Sequence, residues 1–250
     1  MQSYPIVYQD TIPSNLMSTT AAVRIDRPSQ VYDRLRSLII RGQLAPGVRV
    51  VENNIAVRLG VSRTPAREAI LRLYQDGFLV PTGITRRTEL LVAPLTRDDM
   101  MDLYHIMGSL EGSAARGIDL LKPAPRRELA RDLREAETRF ENAARQRTVD
   151  YDRLFELHNK FHGLLVDSCA RPRLRAMIET VRPQVERYEW VYAPLVGPNY
   201  DATFDEHAAI IKAVRAGTGR VAQQAVAANW EKGAARLGSV IGSMGARGHW

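Results

Sequence analysis

From Leu95 to about residue 240, the sequence places apolar residues at helical spacing, with only short interruptions. Each interruption contains proline or glycine: Pro123 with Pro125, Arg171-Pro172, the stretch from Pro194 to Pro198, and Gly217-Thr218-Gly219. Helices joined by links this short pack as an antiparallel bundle. The pattern therefore predicts six helices, near residues 97–118, 125–146, 150–168, 172–192, 203–216 and 219–240.

Residues 27–95 have a different pattern, typical of three short helices followed by a β-hairpin. The helices are expected from Val31 to Ile39 and beyond, from Val51 to Leu59, and from an N-cap at Ser62 to Asp76; the alternating segment Phe78 to Val92 is the hairpin. Three helices and a hairpin in this order form a winged helix-turn-helix. We predict a mainly α protein with this unit in front of an antiparallel all-α bundle.

The predicted division of the chain is a flexible tail at 1–26, the winged helix at 27–95, the helical domain at 96–240 and a flexible tail at 241–250. The sequence contains no run of eighteen apolar residues and no signal-peptide pattern at its start. Its single cysteine, Cys169, forms no internal disulfide and belongs to no zinc-finger spacing. These features favour a cytoplasmic protein with no membrane partner.

The net charge of +7 is unevenly distributed along the chain. Residues 27–95 hold 11 Arg and Lys against 5 Asp and Glu, whereas residues 96–250 hold 23 against 21. A basic module joined to a nearly balanced one indicates binding of a polyanion. The alternative is an Arg-rich surface that is simply solvated.

The start of the third predicted helix carries the groups that DNA binding needs. Ser62, Arg63, Thr64 and Arg67 place two hydroxyls and two guanidinium groups around a helix N-terminus. Helix N-termini attract phosphate, and an arginine can bind guanine through two hydrogen bonds. The alternative is that Ser62 only caps the helix and the arginines are solvated.

Three histidines and one asparagine are spaced so that they can converge in the bundle. His158 and His162 lie four residues apart on one helix, while His207 and Asn229 each lie eleven residues from Thr218 at the centre of a tight turn. Imidazoles from two helix pairs are a common way to build a metal site in a bundle. The alternatives are polar core residues that satisfy one another, or surface residues.

The N-terminal residues resemble the winged-helix domain of GntR-family bacterial transcription regulators. The resemblance rests on Pro46-Gly47, Val51-Glu52, Leu59 to Pro65, Arg67-Glu68-Ala69, Leu71, Leu73 and Asp76 to Leu79. It implies that the recognition helix and the tip of the wing contact operator DNA, through Ser62, Arg63, Thr64, Pro65, Arg67, Thr82 and Gly83. The chain departs from the family pattern at Asn53 and Ile84, where relatives often carry basic residues.

The remaining residues resemble the all-helical FCD domain of the FadR branch of that family. Leu110-Glu111, Phe161-His162 and Glu206-His207 carry the likeness. It implies a divalent metal, such as Zn²⁺ or another transition metal, held at four positions: His158, His162, His207 and Asn229. Two of these depart from the usual set, since His158 replaces Asp or Asn and Asn229 replaces His.

The function predicted from these features is a ligand-responsive transcription regulator, not an enzyme, that binds a pseudo-palindromic operator in double-stranded DNA as a homodimer. It would sense a small-molecule effector, expected to be a carboxylate. An arginine common on the first helix of the domain is Met107 here, and candidates to replace it are His105, Arg134, Arg182 and Arg187. Tyr188, Trp190 and Tyr192 could line the pocket. The alternatives are an architectural DNA-binding protein without an effector, or a metal-dependent hydrolase.

Overall fold

In the computed structural model the described residues are 28–82, 89–197 and 200–248, and they divide into two units. One contains the described residues up to Leu95 together with 246–248, and the other runs from Thr96 to Gly245. This division agrees with the change of sequence pattern at Leu95. The predicted N-terminal tail, residues 1–26, lies entirely outside the described residues.

The N-terminal unit has three helices and three short strands, as a winged helix-turn-helix requires. They are α1 (Pro28–Ile40), β1 (Arg49–Val50), α2 (Glu52–Leu59), α3 (Arg63–Gln75), β2 (Leu79–Pro81) and β3 (Leu90–Val92). α2 ends at Gly60, whose φ of 65° is a left-handed conformation that favours glycine. α1 packs on α3, and Leu35, Leu73 and Leu79 are among the buried residues of this unit.

The strands form an antiparallel sheet in the order β1-β3-β2. β2 and β3 are the predicted hairpin, and the amide of Thr82 donates to the carbonyl of Glu89 at 2.8 Å where the strands separate. The tip of the wing, residues 83–88, lies outside the described residues and includes the predicted contact Gly83. β1 was not predicted, because two residues are too few to show an alternating pattern.

The second unit is an all-α bundle, as predicted, and its helices begin and end within a few residues of the expected positions. They are α4 (Arg97–Arg116), α5 (Pro123–Ala144), α6 (Tyr151–Cys169), α7 (Pro172–Val196), α8 (Asp201–Ala216) and α9 (Gly219–Met244), with a 3₁₀ turn (Gly117–Leu120) after α4. α5 and α7 both start on a proline, which has no amide hydrogen to leave unpaired in the first turn.

α4 and α9 make the most extensive helix pair of the bundle. The backbones approach closely at Gly108, where a Cβ atom would lie 3.0 Å from the Cβ of Trp230. Trp230 is thereby held against α4, with its ring edge-to-face to Tyr104 at 5.2 Å between centroids. This contact fixes one wall of the site described below.

Two helix ends differ from the prediction. α7 continues through Pro194 to Val196 and ends at Gly197, whose φ is 108°, so the stop comes from the glycine and not from the proline. α9 continues to Met244, and Arg247 pairs with Leu95 in an antiparallel bridge. The predicted flexible tail at 241–250 therefore begins with the last turn of a helix, since the apolar spacing extends to Ile241, which is buried.

Candidate functional site

The N-terminus of α3 presents an exposed polar surface. Ser62 occupies the N-cap position with φ −72° and ψ 166°, but its side chain makes no capping hydrogen bond. Ser62, Arg63, Thr64 and Arg67 are all exposed, whereas Pro65 is buried. The first turn of α3 thus offers hydroxyl and guanidinium groups to an external partner, and the ring of Pro65 faces the interior.

Arg63 is already engaged by a carboxylate within the same unit. Its Nε lies 3.2 Å from Oε1 of Glu52 on α2, although the side chain is 75% exposed. A pair this exposed is weak and is readily exchanged for another anion. In the predicted wing, the hydroxyl of Thr82 donates to the carbonyl of Glu89 at 3.3 Å, so it contributes to closing the hairpin.

The helical unit brings the three predicted histidines together. His158 and His162 project from α6 and His207 from α8, and one ring nitrogen of each lies within 4.8 Å of the others. His162 and His207 are fully buried. The ring of His207 also stacks on Phe161, with 4.0 Å between centroids. The convergence predicted from the spacing is therefore present in the fold.

Two buried carboxylates orient the histidines. Nδ1 of His162 lies 2.8 Å from Oε2 of Glu111, and Nδ1 of His207 lies 2.6 Å from Oε2 of Glu137. The Nε2 atoms of both rings are buried and have no hydrogen-bond partner among the described residues. Metal-binding histidines characteristically use one nitrogen for the ion and the other for a carboxylate. The orphaned Nε2 atoms fit that arrangement.

Two of the three imidazoles, those of His158 and His207, are in the form that binds a cation. Burial, with a contribution from the charge of His162, lowers the pKa of both His158 and His207 well below 6.5, so both are neutral at pH 7. Neutral imidazole is the metal ligand. Burial and the neighbouring carboxylate Glu141 raise the pKa of Glu137 to about 8, so this carboxyl group also carries little charge without a cation nearby.

Glu111 is fully buried and is held by several hydrogen bonds. It accepts hydrogen bonds from Nε1 of Trp230 at 2.8 Å and from Arg182, besides its contact with His162. Burial alone would raise the pKa of Glu111, but His162, Arg182 and these hydrogen bonds lower it to about 2. Glu111 therefore stays ionised and links α4 to three other helices, α6, α7 and α9.

Asn229, the fourth predicted ligand, is held differently. Its Nδ2 donates to Oε2 of Glu206 at 2.9 Å, and the same carboxylate accepts two hydrogen bonds from Arg236 at 2.7 and 2.9 Å. The carbonyl oxygen and the second amide hydrogen of Asn229 remain for other partners. Glu206 is neutralised by Arg236, which does not favour a role as a general base.

A cavity of about 140 Å³ adjoins the histidines. Its walls are formed by aromatic and aliphatic residues, and His158, His162, Glu189, Asn229 and Arg236 are among its polar borders. The aromatic lining residues are Tyr104, Phe140, Tyr151, Phe155, Trp190, Tyr200 and Trp230. A concave apolar site with a few polar groups at its edge is the usual form of a small-molecule pocket.

The sequence-based candidates for the pocket divide into two groups. Trp190 lines the cavity as expected, whereas Tyr188 and Tyr192 are fully buried in the core. Of the basic candidates, His105 and Arg134 are exposed, Arg182 binds Glu111, and Arg187 donates to Gln184. Sequence reasoning missed Arg236, Glu137 and Glu189, because no motif marks them and their partners lie on other helices.

Both units match known protein families. Residues 28–81 match the family model described as bacterial regulatory proteins, gntR family, and residues 102–232 match the FCD domain. The chain belongs to the GntR family of regulators that carry an FCD domain. This GntR regulator is thus a DNA-binding transcription regulator with an effector-binding domain.

Individual relatives agree with this assignment. The uncharacterized HTH-type transcriptional regulator YdhC of Bacillus subtilis is 32% identical over 165 residues, which are 63% of this chain and 69% of that one. McbR of Escherichia coli K12, an HTH-type transcriptional regulator, is 26% identical over 66% of this chain and 80% of its own.

Solved structures of GntR-type regulators share the fold. The structure of E. coli McbR/YncC superposes with a TM-score of 0.63 at 22% identity, covering 84% of this chain and 96% of that one. A GntR regulator from Rhodococcus sp. RHA1 gives a TM-score of 0.62 at 23% identity, with the same coverage of both chains.

Among the described residues, every helix is too short or too polar to cross a membrane.

Proposed function

We propose that this GntR regulator binds a pseudo-palindromic operator as a homodimer and senses a small organic acid in its FCD domain, with a divalent metal as part of the site. The cytoplasm is the corresponding location. The observation that carries the sensing half is the set of three converging histidines with orphaned Nε2 atoms beside an aromatic cavity. The DNA half rests on the exposed first turn of α3.

In the DNA-binding half, Arg63 and Arg67 are the proposed base or phosphate contacts. Ser62 and Thr64 supply hydroxyls to the phosphodiester, and the helix N-terminus adds its unpaired amides. Pro65, being buried, would support the turn by fixing φ, and it remains a proposed part of the DNA-contacting turn. At the wing, Thr82 and Gly83 remain proposed contacts.

In the sensing half, His158, His162 and His207 would hold Zn²⁺ or a neighbouring divalent ion, with the carbonyl oxygen of Asn229 as a weak fourth ligand. Such an ion supplies positive charge and open coordination positions for a carboxylate. Glu111 and Glu137 orient His162 and His207 through their Nδ1 atoms. Effector binding would favour one of two conformations that differ in operator affinity.

Metal analysis tests this site directly. Protein purified without an affinity tag, incubated with zinc and desalted, is expected to retain about one equivalent of Zn²⁺, because three imidazoles already converge. The variants His158→Ala and His162→Ala should each retain less than a tenth of an equivalent. His105→Ala, an exposed histidine of the same unit, is the control. Wild-type protein that retains less than a tenth of an equivalent would leave direct binding of the acid by the imidazoles as the better account.

Light scattering tests the assembly. A helix-turn-helix protein that reads a palindrome does so as a dimer whose symmetry matches that of the half-sites. We expect a mass of twice the 28.1 kDa of the chain at micromolar concentration. A strict monomer, both alone and with operator DNA, would contradict the proposal.

A further inference from the structure

Glu189 is the one acidic side chain that borders the cavity among the described residues, and Arg182 acts on it through its charge without forming a hydrogen bond to it. Glu189 lies on α7, is only 7% exposed, and its Oε2 has no hydrogen-bond partner in the part of the chain that the structure describes. Glu137 also has one oxygen without a hydrogen-bond partner, but its other oxygen contacts His207, whereas two further buried carboxylates beside the site are bound by arginines. Glu111 is bound by Arg182, and Glu206 by Arg236.

A buried carboxyl group with an unpaired oxygen lowers the stability of the ligand-free protein. An unsatisfied buried acceptor destabilises the folded protein, and does so more strongly when it is ionised. Burial raises the pKa of Glu189 to about 8, a shift that Arg182 opposes and that Glu186 and Glu111 reinforce. Buried polar groups without partners are rare, and perturbed carboxyl groups in clefts mark functional positions. A ligand that donates a hydrogen bond to this oxygen would remove the destabilisation.

The cavity sets the size and character of that ligand. Its volume of about 140 Å³ is close to that of an engineered cavity of about 150 Å³ that admits benzene, so the apolar body of the ligand is about one ring. Tyr104, Trp190 and Trp230 form flat walls around this space. Aromatic faces also attract a cation that has lost its water.

We propose that Glu189 determines effector specificity and that the effector carries a protonated amine, which pairs with Glu189, in addition to the acidic group bound at the histidines. The ligand class is a ring-sized aromatic acid with an aminoalkyl group. This inference rests on the proposed sensing function, since it names the second polar group of the same effector. His158 and His162 border the same cavity as Glu189, so one molecule can reach both ends.

Matched pairs of benzoates test the proposal. 4-(Aminomethyl)benzoate and 4-ethylbenzoate have nearly the same shape and differ in the ammonium group, as do the two 3-substituted isomers. Titration calorimetry with the full-length protein should show at least tenfold tighter binding of an aminomethyl compound than of its ethyl partner. The preference should disappear in Glu189→Gln and persist in Glu179→Gln, which removes an exposed charge from the same helix.

The outcomes separate this inference from the proposed function. Equal or tighter binding of the ethyl compounds would overturn the role of Glu189 and leave organic-acid sensing intact. If no benzoate binds and none changes operator affinity, organic-acid sensing itself is contradicted, and the inference falls with it.

Thermal unfolding of the ligand-free protein at pH 8 supplies a second readout. Glu189→Gln should raise the melting temperature, because it removes an unpaired buried carboxylate that ionises as pH rises towards 8. If Glu189 instead stabilises the fold, the Glu189→Gln variant will have a lower melting temperature than the wild type. That result would give Glu189 a structural role and overturn the proposal.

Discussion

Replacing Glu111 by alanine is expected to lower the free energy of unfolding of the helical unit by about 3 to 5 kcal/mol, the usual cost of breaking a buried charge pair from one side. Glu111 is fully buried and accepts from Trp230 and Arg182 while contacting His162. Removing it leaves three polar side chains without their common acceptor. Urea unfolding followed by tryptophan fluorescence measures the change, since Trp190 and Trp230 lie in this unit.

Glu179→Ala is the matched control, because it deletes an exposed carboxylate from α7 and should change stability by less than about 0.5 kcal/mol. A loss of under 1 kcal/mol in Glu111→Ala would show that the network contributes little.

Acid titration gives an independent measure of the same residue. The folded pKa of Glu111 is about 2 against 4.5 for a free glutamate, so its ionised form favours the folded state. The contribution is complete above pH 4.5 and is lost as the pH falls towards 2. Glu111→Gln should therefore show a flatter decline of stability across this interval than the wild type.

Replacing Arg63 or Arg67 by alanine is expected to weaken operator binding by about 1 to 3 kcal/mol each, or 5- to 150-fold, if the guanidinium group binds a base edge. Both side chains are exposed in the first turns of α3, four residues apart, and so project from one face. A DNA fragment selected from a random pool serves as operator, and mobility-shift titration at fixed salt gives the affinity.

Two further variants sharpen this test. Arg127→Ala removes an exposed charge from α5 and controls for net charge. Glu52→Gln frees Arg63 from its intramolecular ion pair and removes a negative charge near the phosphates, so it should strengthen binding a few-fold. Wild-type affinity in both arginine variants would remove α3 from the proposed interface.

Much of the fold follows from the sequence because helices and their ends are encoded locally. Periodic apolar residues and the breakers at Gly60, Arg171-Pro172 and Gly217 placed the helices within a few residues. β1 was missed because its pairing with β3 joins segments about forty residues apart. α7 extends past the predicted break at Pro194, because a proline close to the end of a helix removes only one backbone hydrogen bond. The helix ends at Gly197, which adopts a φ that is unfavourable for other residues.

The histidine site also has a part that could be predicted from the sequence and a part that could not. The spacing of His158 and His162 on one helix, and the position of His207 relative to a tight turn, were sufficient to predict convergence, since both depend only on helix geometry. Only the tertiary structure paired Glu111 with His162 and Glu137 with His207, across 51 and 70 residues. Only the tertiary structure placed Glu189 on the cavity wall with one oxygen that has no hydrogen-bond partner among the described residues. Such contacts depend on the register of packed helices, which is set by side-chain interlocking between distant segments and leaves no periodic trace in either one.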